Sequence, residues 1–167
     1  MNDEALKQAI NGLQINSVSL FATHCSIADQ FFPAYDPLAE NLQIQSKHLI
    51  SRTEQIDFED DEGQTVRVIR FHADFGTRLM LPSEGDLEQK ALIEATFVAE
   101  YEVTDVGLSE EAIKEFAIRN VMFNVWPYWR EYLTSTCSRM QLPKIQVPFF
   151  KKPQNEGLHE CSDAAED

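Results

Sequence analysis

An α+β fold, a four-stranded antiparallel sheet with a long, proline-broken C-terminal helix on one face, is predicted by three features of this 167-residue chain. Apolar and polar residues alternate over the first two thirds, the period of strands with one buried face. The connections between most of the alternating runs are short, as antiparallel neighbours allow. Beyond about residue 108 the apolar period becomes helical, and strands followed by helices place the helices on the sheet's apolar side.

Asp3 to Ile10 reads as a short helix with Leu6 and Ile10 on one side, ended by Asn11-Gly12. From Leu13 the chain alternates, with Leu13, Ile15 and Phe21 sharing a parity, and predicts the first strand. "QFFPAYDPLAEN" follows, a connection because Pro33 and Pro37 interrupt either regular structure. In the next run Leu42, Ile44, Ile50, Ile56 and Phe58 all fall on even numbers, with His48 and Arg52 on the same predicted face. "EDDEG" makes an acidic turn. In the third run Val66 and Val68 are even but Ile69, Phe71, Ala73, Phe75 and Leu79 are odd, which predicts a bulge near Val68-Ile69 or a strand buried on both faces. After a connection at "PSEGDLEQ", Ile93, Ala95, Phe97, Ala99, Tyr101 and Val103 alternate with Glu94, Thr96, Glu100 and Glu102, so the opposite face should be solvated and acidic.

Ser109 is the expected N-cap of the helical third, with Glu110 and Glu111 in the first turn beside the positive end of the dipole. Ile113, Phe116, Ala117 and Val121 recur at helical spacing. Pro127 predicts a break or kink at Trp126 and a second segment from Pro127 to about Gln141, with Trp129, Leu133, Thr136 and Met140 along one stripe. Leu142-Pro143 stops it, and "KIQVPFF" is a short extended piece. The expected organisation is an N-terminal helical extension over 1–12, a main domain over 13–150 and a disordered acidic tail over 151–167.

The charge bounds the partners. With 28 Asp and Glu against 14 Lys and Arg, the net charge is −14. Such a field repels phosphate backbones and anionic lipid, which argues against nucleic acid and membrane surfaces. No run approaches the length of a transmembrane helix, and the first residues do not read as a signal peptide. Cys25, Cys137 and Cys161 show no CxxC spacing, as expected of a chain in a reducing cytoplasm.

Little in the sequence points to chemistry. The four histidines, His24, His48, His72 and His159, form no metal-ligand spacing. "DFEDDEG" lacks the ligand spacing of a calcium loop and reads as a hairpin turn. No glycine-rich phosphate loop and no nucleophile elbow is present, so neither an enzyme nor a cofactor or metal is expected. What remains is apolar surface. Phe31, Phe32 and Tyr35 lie in a proline-punctuated connection, and each large side chain left exposed forgoes roughly 1.5–3 kcal/mol of burial. Phe149 and Phe150 pose the same question near the end of the chain. Such clusters fold back, meet a partner or line a groove.

"NVWPYWREYLTSTCSRMQLPKIQV" carries a resemblance. It resembles the long C-terminal helix of the SecB export-chaperone family, in which an aromatic-Pro-Tyr-x-Arg-Glu motif leads the helix and a short proline segment follows. The matching residues are Trp126, Pro127, Tyr128, Arg130 and Glu131, then Leu142, Pro143 and Ile145. The resemblance covers residues 13–148 in outline and is specific over 108–148. It implies a SecB-like protomer assembling as a homotetramer, a dimer of dimers, that holds unfolded polypeptide without ATP. Clients would be preproteins or, as in the divergent members that accompany toxin–antitoxin pairs, one aggregation-prone antitoxin. Phe31, Phe32, Tyr35, Leu42 and Ile44 would line the client groove, with Phe149 and Phe150 substituting for the family's missing final helix. Trp126, Tyr128, Trp129 and Tyr132 would pack the helix on the sheet or on a neighbouring subunit. The chain departs from the family at "FATHCS", Phe21 to Ser26, which lacks the acids tied to docking the SecA motor, and at "EAT", Glu94 to Thr96, which stands where the family has Leu-x-Glu. That counts against SecA docking by the usual surface. Two alternatives stay open, a small-ligand domain using His48, Arg52 and His72, and a structural adaptor with every aromatic buried.

Overall fold

The computed structural model describes residues 2–150 except Glu84, Val106 and Phe149. The expectations for Phe149 and the acidic tail lie outside the described residues. In chain order the elements are α1 (Asp3–Gly12), β1 (Leu13–Ile27), a 3-10 turn (Ala39–Asn41), β2 (Gln43–Glu59), β3 (Thr65–Ser83), β4 (Asp86–Val103), α2 (Glu110–Phe116), a π turn (Ala117–Val121) and α3 (Met122–Arg139). The sheet is fully antiparallel in the order β1-β4-β3-β2, so β1 and β2 are its edges.

Odd-numbered residues of β3 and β4 face the helices. Ile69, Phe71, Ala73, Phe75 and Leu79 meet Ala91, Ile93, Ala95, Phe97, Ala99 and Tyr101 in one continuous core with Phe116, Val121, Val125, Trp129 and Leu133. The strand buried on both faces, one of the two options for the phase change at Val68-Ile69, is what forms: both residues are buried and their pairing is unbroken. The connection expected at "PSEGDLEQ" is instead strand on either side of a tight turn, β3 reaching Ser83 and β4 beginning at Asp86. A hairpin with Gly85 at φ 95° lets both strands continue through polar residues, because pairing needs only the backbone.

The edge strands depart from simple parity. Irregularities in β1 between Ile15 and Ser17 and again between Leu20 and Ala22 send Leu13 and Ile15, then Val18 and Leu20, then Thr23, Cys25 and Ile27 to the helix side. Phe21 is thereby turned to the other face, where its ring meets His72 edge-on at 5.1 Å. In β2 the shift between Ile50 and Arg52 has the same effect: Ile44, His48 and Ile50 are on the helix side, whereas Arg52, Ile56 and Phe58 are opposite. One unpaired residue reverses every side chain beyond it, which the unbroken even parity of the sequence conceals.

The face away from the helices is charged, but it is paired rather than simply solvated. Lys47 lies across Gly76 to reach Glu94 at 2.7 Å, Arg70 meets Glu100 at 2.8 Å, and Thr96 donates to Asp74 at 2.7 Å. Gly76 makes the first contact possible, since a Cβ there would stand 2.6 Å from the Lys47 Cε. At the turn after β2, Asp60 Oδ1 accepts from the backbone of Glu62 and Gln64, and Gly63 adopts φ 76°.

Ser109 caps α2 as expected, accepting from the Ala112 N–H at 3.1 Å. Helix α1 packs against α2, its Ala5 and Ala9 lie in the common core, and Asp3 accepts from Arg119 at 2.7 Å. That contact holds the Asp3 carboxyl below its ordinary value. Of the break or kink expected at Trp126, the break does not occur. Helix α3 runs through Pro127, and the irregular turn is the π turn upstream. Pro127 is exposed, so water reaches the backbone around it, and burial of Val125, Trp129 and Leu133 outweighs the ~3 kcal/mol penalty of an interior proline. Helix α3 ends in a Schellman motif: Gln141 sits at φ 55°, its N–H donates to Ser138 O, and the Leu142 N–H donates to Cys137 O at 2.9 Å.

Trp129 is 2% exposed and stacks on Phe75 at 5.2 Å with 15° between the rings. Truncation to alanine should therefore cost about 3–5 kcal/mol of unfolding free energy. Denaturant titration of W129A checks this, and an unchanged midpoint would contradict the packing.

Candidate functional site

The crossover between β1 and β2 is built from turns because its prolines forbid anything longer. The Ala28 N–H closes the β1–β4 ladder on Lys90 O at 2.8 Å, Gln30 takes φ 61°, and the Tyr35 and Asp36 N–H groups both donate to Phe32 O. Asp36 Oδ1 accepts from the Leu38 N–H at 2.8 Å and leads into the 3-10 turn. This framework holds neighbouring aromatic side chains in different environments. Phe31 is 5% exposed and belongs to the core, whereas Phe32 and Tyr35 are 65% and 87% exposed.

Between the crossover and the end of α3 lies a cavity of about 430 Å³, bounded by Ile27, Phe31, Phe32 and Tyr35 on one side and Met140 and Gln141 on the other. Leu42 is half-buried against the core, and Ile44 is half-exposed at the start of β2. The cavity brings Phe31, Phe32 and Tyr35 together. Leu42 and Ile44 are not among the residues that line it. Sequence reasoning missed Ile27 and Met140 as lining residues. The signal for Met140 was its place at the end of the α3 stripe, and Ile27 carried none, since strand parity does not say where a strand will stop.

The aromatics of α3 spread across the sheet. Trp126 lies nearest β2, edge-on to His48 at 5.4 Å, and contacts Phe75 at 5.9 Å. Trp129 covers Phe75 on β3. Tyr132 contacts Phe97 on β4 at 6.1 Å, and its hydroxyl hydrogen-bonds to Thr23 and lies 3.4 Å from the Cys25 sulfur, both on β1. Burial, reinforced by Cys25, pushes the Tyr132 hydroxyl above its ordinary pKa, and burial likewise raises the Cys137 thiol. Tyr128 points outward, about half exposed. Phe150 folds back onto Trp126 at 5.0 Å.

The residues named for a small-ligand site do not converge. His48 is on the helix side of the sheet, while Arg52 and His72 meet on the other, with 3.0 Å between Arg52 Nη2 and His72 Nε2. Glu54 joins His72 at 2.9 Å, and that contact holds its carboxyl below the ordinary range. Among the described residues no group of three or more His, Cys, Asp or Glu side chains is placed to hold a metal ion, and no helix is long and apolar enough to cross a membrane.

The antiparallel sheet, the crossover from β1 to β2 and the long helix on one face define a SecB-like α+β fold. The solved structure of a Mycobacterium tuberculosis SecB-like chaperone, in complex with a ChAD peptide from the HigA1 antitoxin, matches with a TM-score of 0.60 at 18% identity, covering 90% of this chain and 99% of that one. A Streptococcus agalactiae protein of unknown function matches with a TM-score of 0.37 at 6% identity, covering 82% of this chain and 97% of that one. No protein-family model and no curated protein matches the sequence.

Replacing Tyr132 with phenylalanine keeps the ring and removes the hydroxyl that ties α3 to the β1 edge. Unfolding free energy should fall by about 1 kcal/mol, and Cys25 should react faster with a thiol reagent. Unchanged stability together with an unchanged labelling rate would contradict the tie.

Proposed function

We propose that this chain is a holdase, a chaperone that binds unfolded polypeptide through apolar surface and uses no nucleotide. The observation that carries the reading is the crossover, which holds Phe32 and Tyr35 outward beside an apolar-walled cavity while anchoring itself through buried Phe31. A folded chain has no internal reason to display them, and each exposed large apolar side chain leaves roughly 1.5–3 kcal/mol unclaimed by its own core. Contacts of this kind grip apolar segments with little dependence on sequence, and a net charge of −14 keeps a loaded complex soluble. The similar mycobacterial chaperone, solved with an antitoxin peptide, supports peptide capture on this fold. It also favours one dedicated antitoxin as client over a broad set of preproteins.

The same reading includes assembly in the cytoplasm. Ile118, Phe123 and Tyr128 are exposed on the helical layer, and Ile15 and Leu20 on the β1 edge. Apolar surface so distributed suits a dimer of dimers, with strand edges and helices as the seams. SecA docking forms no part of the proposal, because Phe21 to Ser26 lacks the acids tied to it in the family that the chain resembles.

A double variant, Phe32→Ser with Tyr35→Ser, should lose most protection of an aggregating client, with about tenfold more chaperone needed and an unchanged melting temperature. Phe31→Ser should instead unfold the chain more readily. Turbidity of a denatured client diluted into buffer measures the first effect and thermal melting the second. Full protection by the double variant would contradict the assignment.

A further inference from the structure

After α3, residues 142–148 form an irregular strap that returns along the helix. Leu142 and Ile145 are buried anchors. Beyond them an open cleft of about 720 Å³ separates the strap from α3, bounded by Arg130, Glu131 and Thr134 on the helix and Lys144 and Val147 on the strap. The strap touches down again at Trp126. The indole Nε1 donates to the Pro148 carbonyl at 2.8 Å, and the Phe150 ring lies 5.0 Å from the indole and 5.8 Å, edge-on, from His48.

Trp126 and His48 thus form two walls of a socket beside edge strand β2, filled by a phenylalanine. What it reads is general. One N–H takes a main-chain carbonyl, and two aromatic walls take a ring two residues further along an irregular chain. Nothing in that pattern is peculiar to Pro148 and Phe150, and any unfolded segment with an aromatic residue presents it. The strap's end borders an open cleft on one side, and Val147 and Phe150, only partly buried against the core, are the contacts that a client would have to displace. A departing strap frees a half-buried indole N–H, which a peptide carbonyl satisfies again.

We propose that the Trp126–His48 socket is a binding subsite for an aromatic residue of an extended polypeptide, and that the chain's own Pro148 and Phe150 occupy it until a client displaces them. This rests on the holdase reading and adds to it a second subsite with an internal competitor. The competitor raises the affinity a client must have, so weak apolar segments are refused while strong ones open the site.

The test uses a fluorescein-labelled peptide of residues 144–150, Lys-Ile-Gln-Val-Pro-Phe-Phe, followed by anisotropy. It is added to the full chain, to a chain ending at Val147 and to full-length F150A. The shortened chain should bind it about tenfold more tightly than the full chain, with F150A between them. Adding W126F to the shortened chain, which keeps a ring but removes the N–H, should weaken binding several-fold, up to about tenfold. A reduced, permanently unfolded protein should displace the peptide. Equal binding by full and shortened chains, no effect of W126F, or failure to displace the peptide by an unfolded protein that does bind would each overturn the proposal. Unfolded protein that binds no variant, while the peptide still binds the shortened chain, would contradict the holdase reading instead and remove the client from this one.

Discussion

The stack of Trp129 on Phe75 fixes how α3 crosses the sheet, and the remaining contacts follow from that crossing. Phe75 sits on β3, one of two interior strands, with its ring parallel to the indole at 5.2 Å. Residues three apart on a helix share a face, so Trp126 and Tyr132 lie on either side of Trp129 along the same stripe. One reaches His48 on β2 and the other Thr23 and Cys25 on β1. The cluster around Pro127 is therefore a three-point clamp across the full width of the sheet. It explains why a proline survives inside the helix, since three aromatic contacts outweigh one lost hydrogen bond.

The clamp also places the surface on which function is proposed. The far end of α3 is brought beside the crossover, where Met140 and Gln141 close the cavity opened by Ile27, Phe32 and Tyr35. The near end leaves the Trp126 indole at the β2 edge, where the strap meets it. Both apolar sites are thus consequences of one packing decision in the middle of the sheet. The opposite face carries clefts of similar size, but charged and polar side chains line most of them. On it Arg52, Arg70 and His72 are held by Glu54 and Glu100, and Arg78 donates to Gln45. Pairing of this kind on partly exposed side chains adds little stability, but it leaves few charges unspent for a strongly charged partner.

The sheet, its antiparallel character and the helical third were legible because alternation and helical spacing were strong in β3, β4 and α2. Packing of α3 was legible at Trp129, which lies on a continuous stripe with Leu133. Three things were not. Bulges in β1 and β2 cannot be read from parity, because a sequence that keeps alternating across an inserted residue looks unbroken while its side chains change face. Pro127 misled because the local preference of a proline was weighed without the burial on the helix's other side. In the crossover Phe31 and Phe32 are neighbours in sequence and alike in chemistry, and only the turn geometry that puts one in the core distinguishes them.

The most direct test of the central claim is the mass of the purified chain by light scattering after size exclusion, alone and with an excess of a reduced, permanently unfolded protein. The account predicts a tetramer whose mass rises with the unfolded chain and does not rise with the folded form of the same protein. A particle indifferent to unfolded chain would contradict it, and would mean that a SecB-like fold here displays Phe32 and Tyr35 for some purpose other than holding clients.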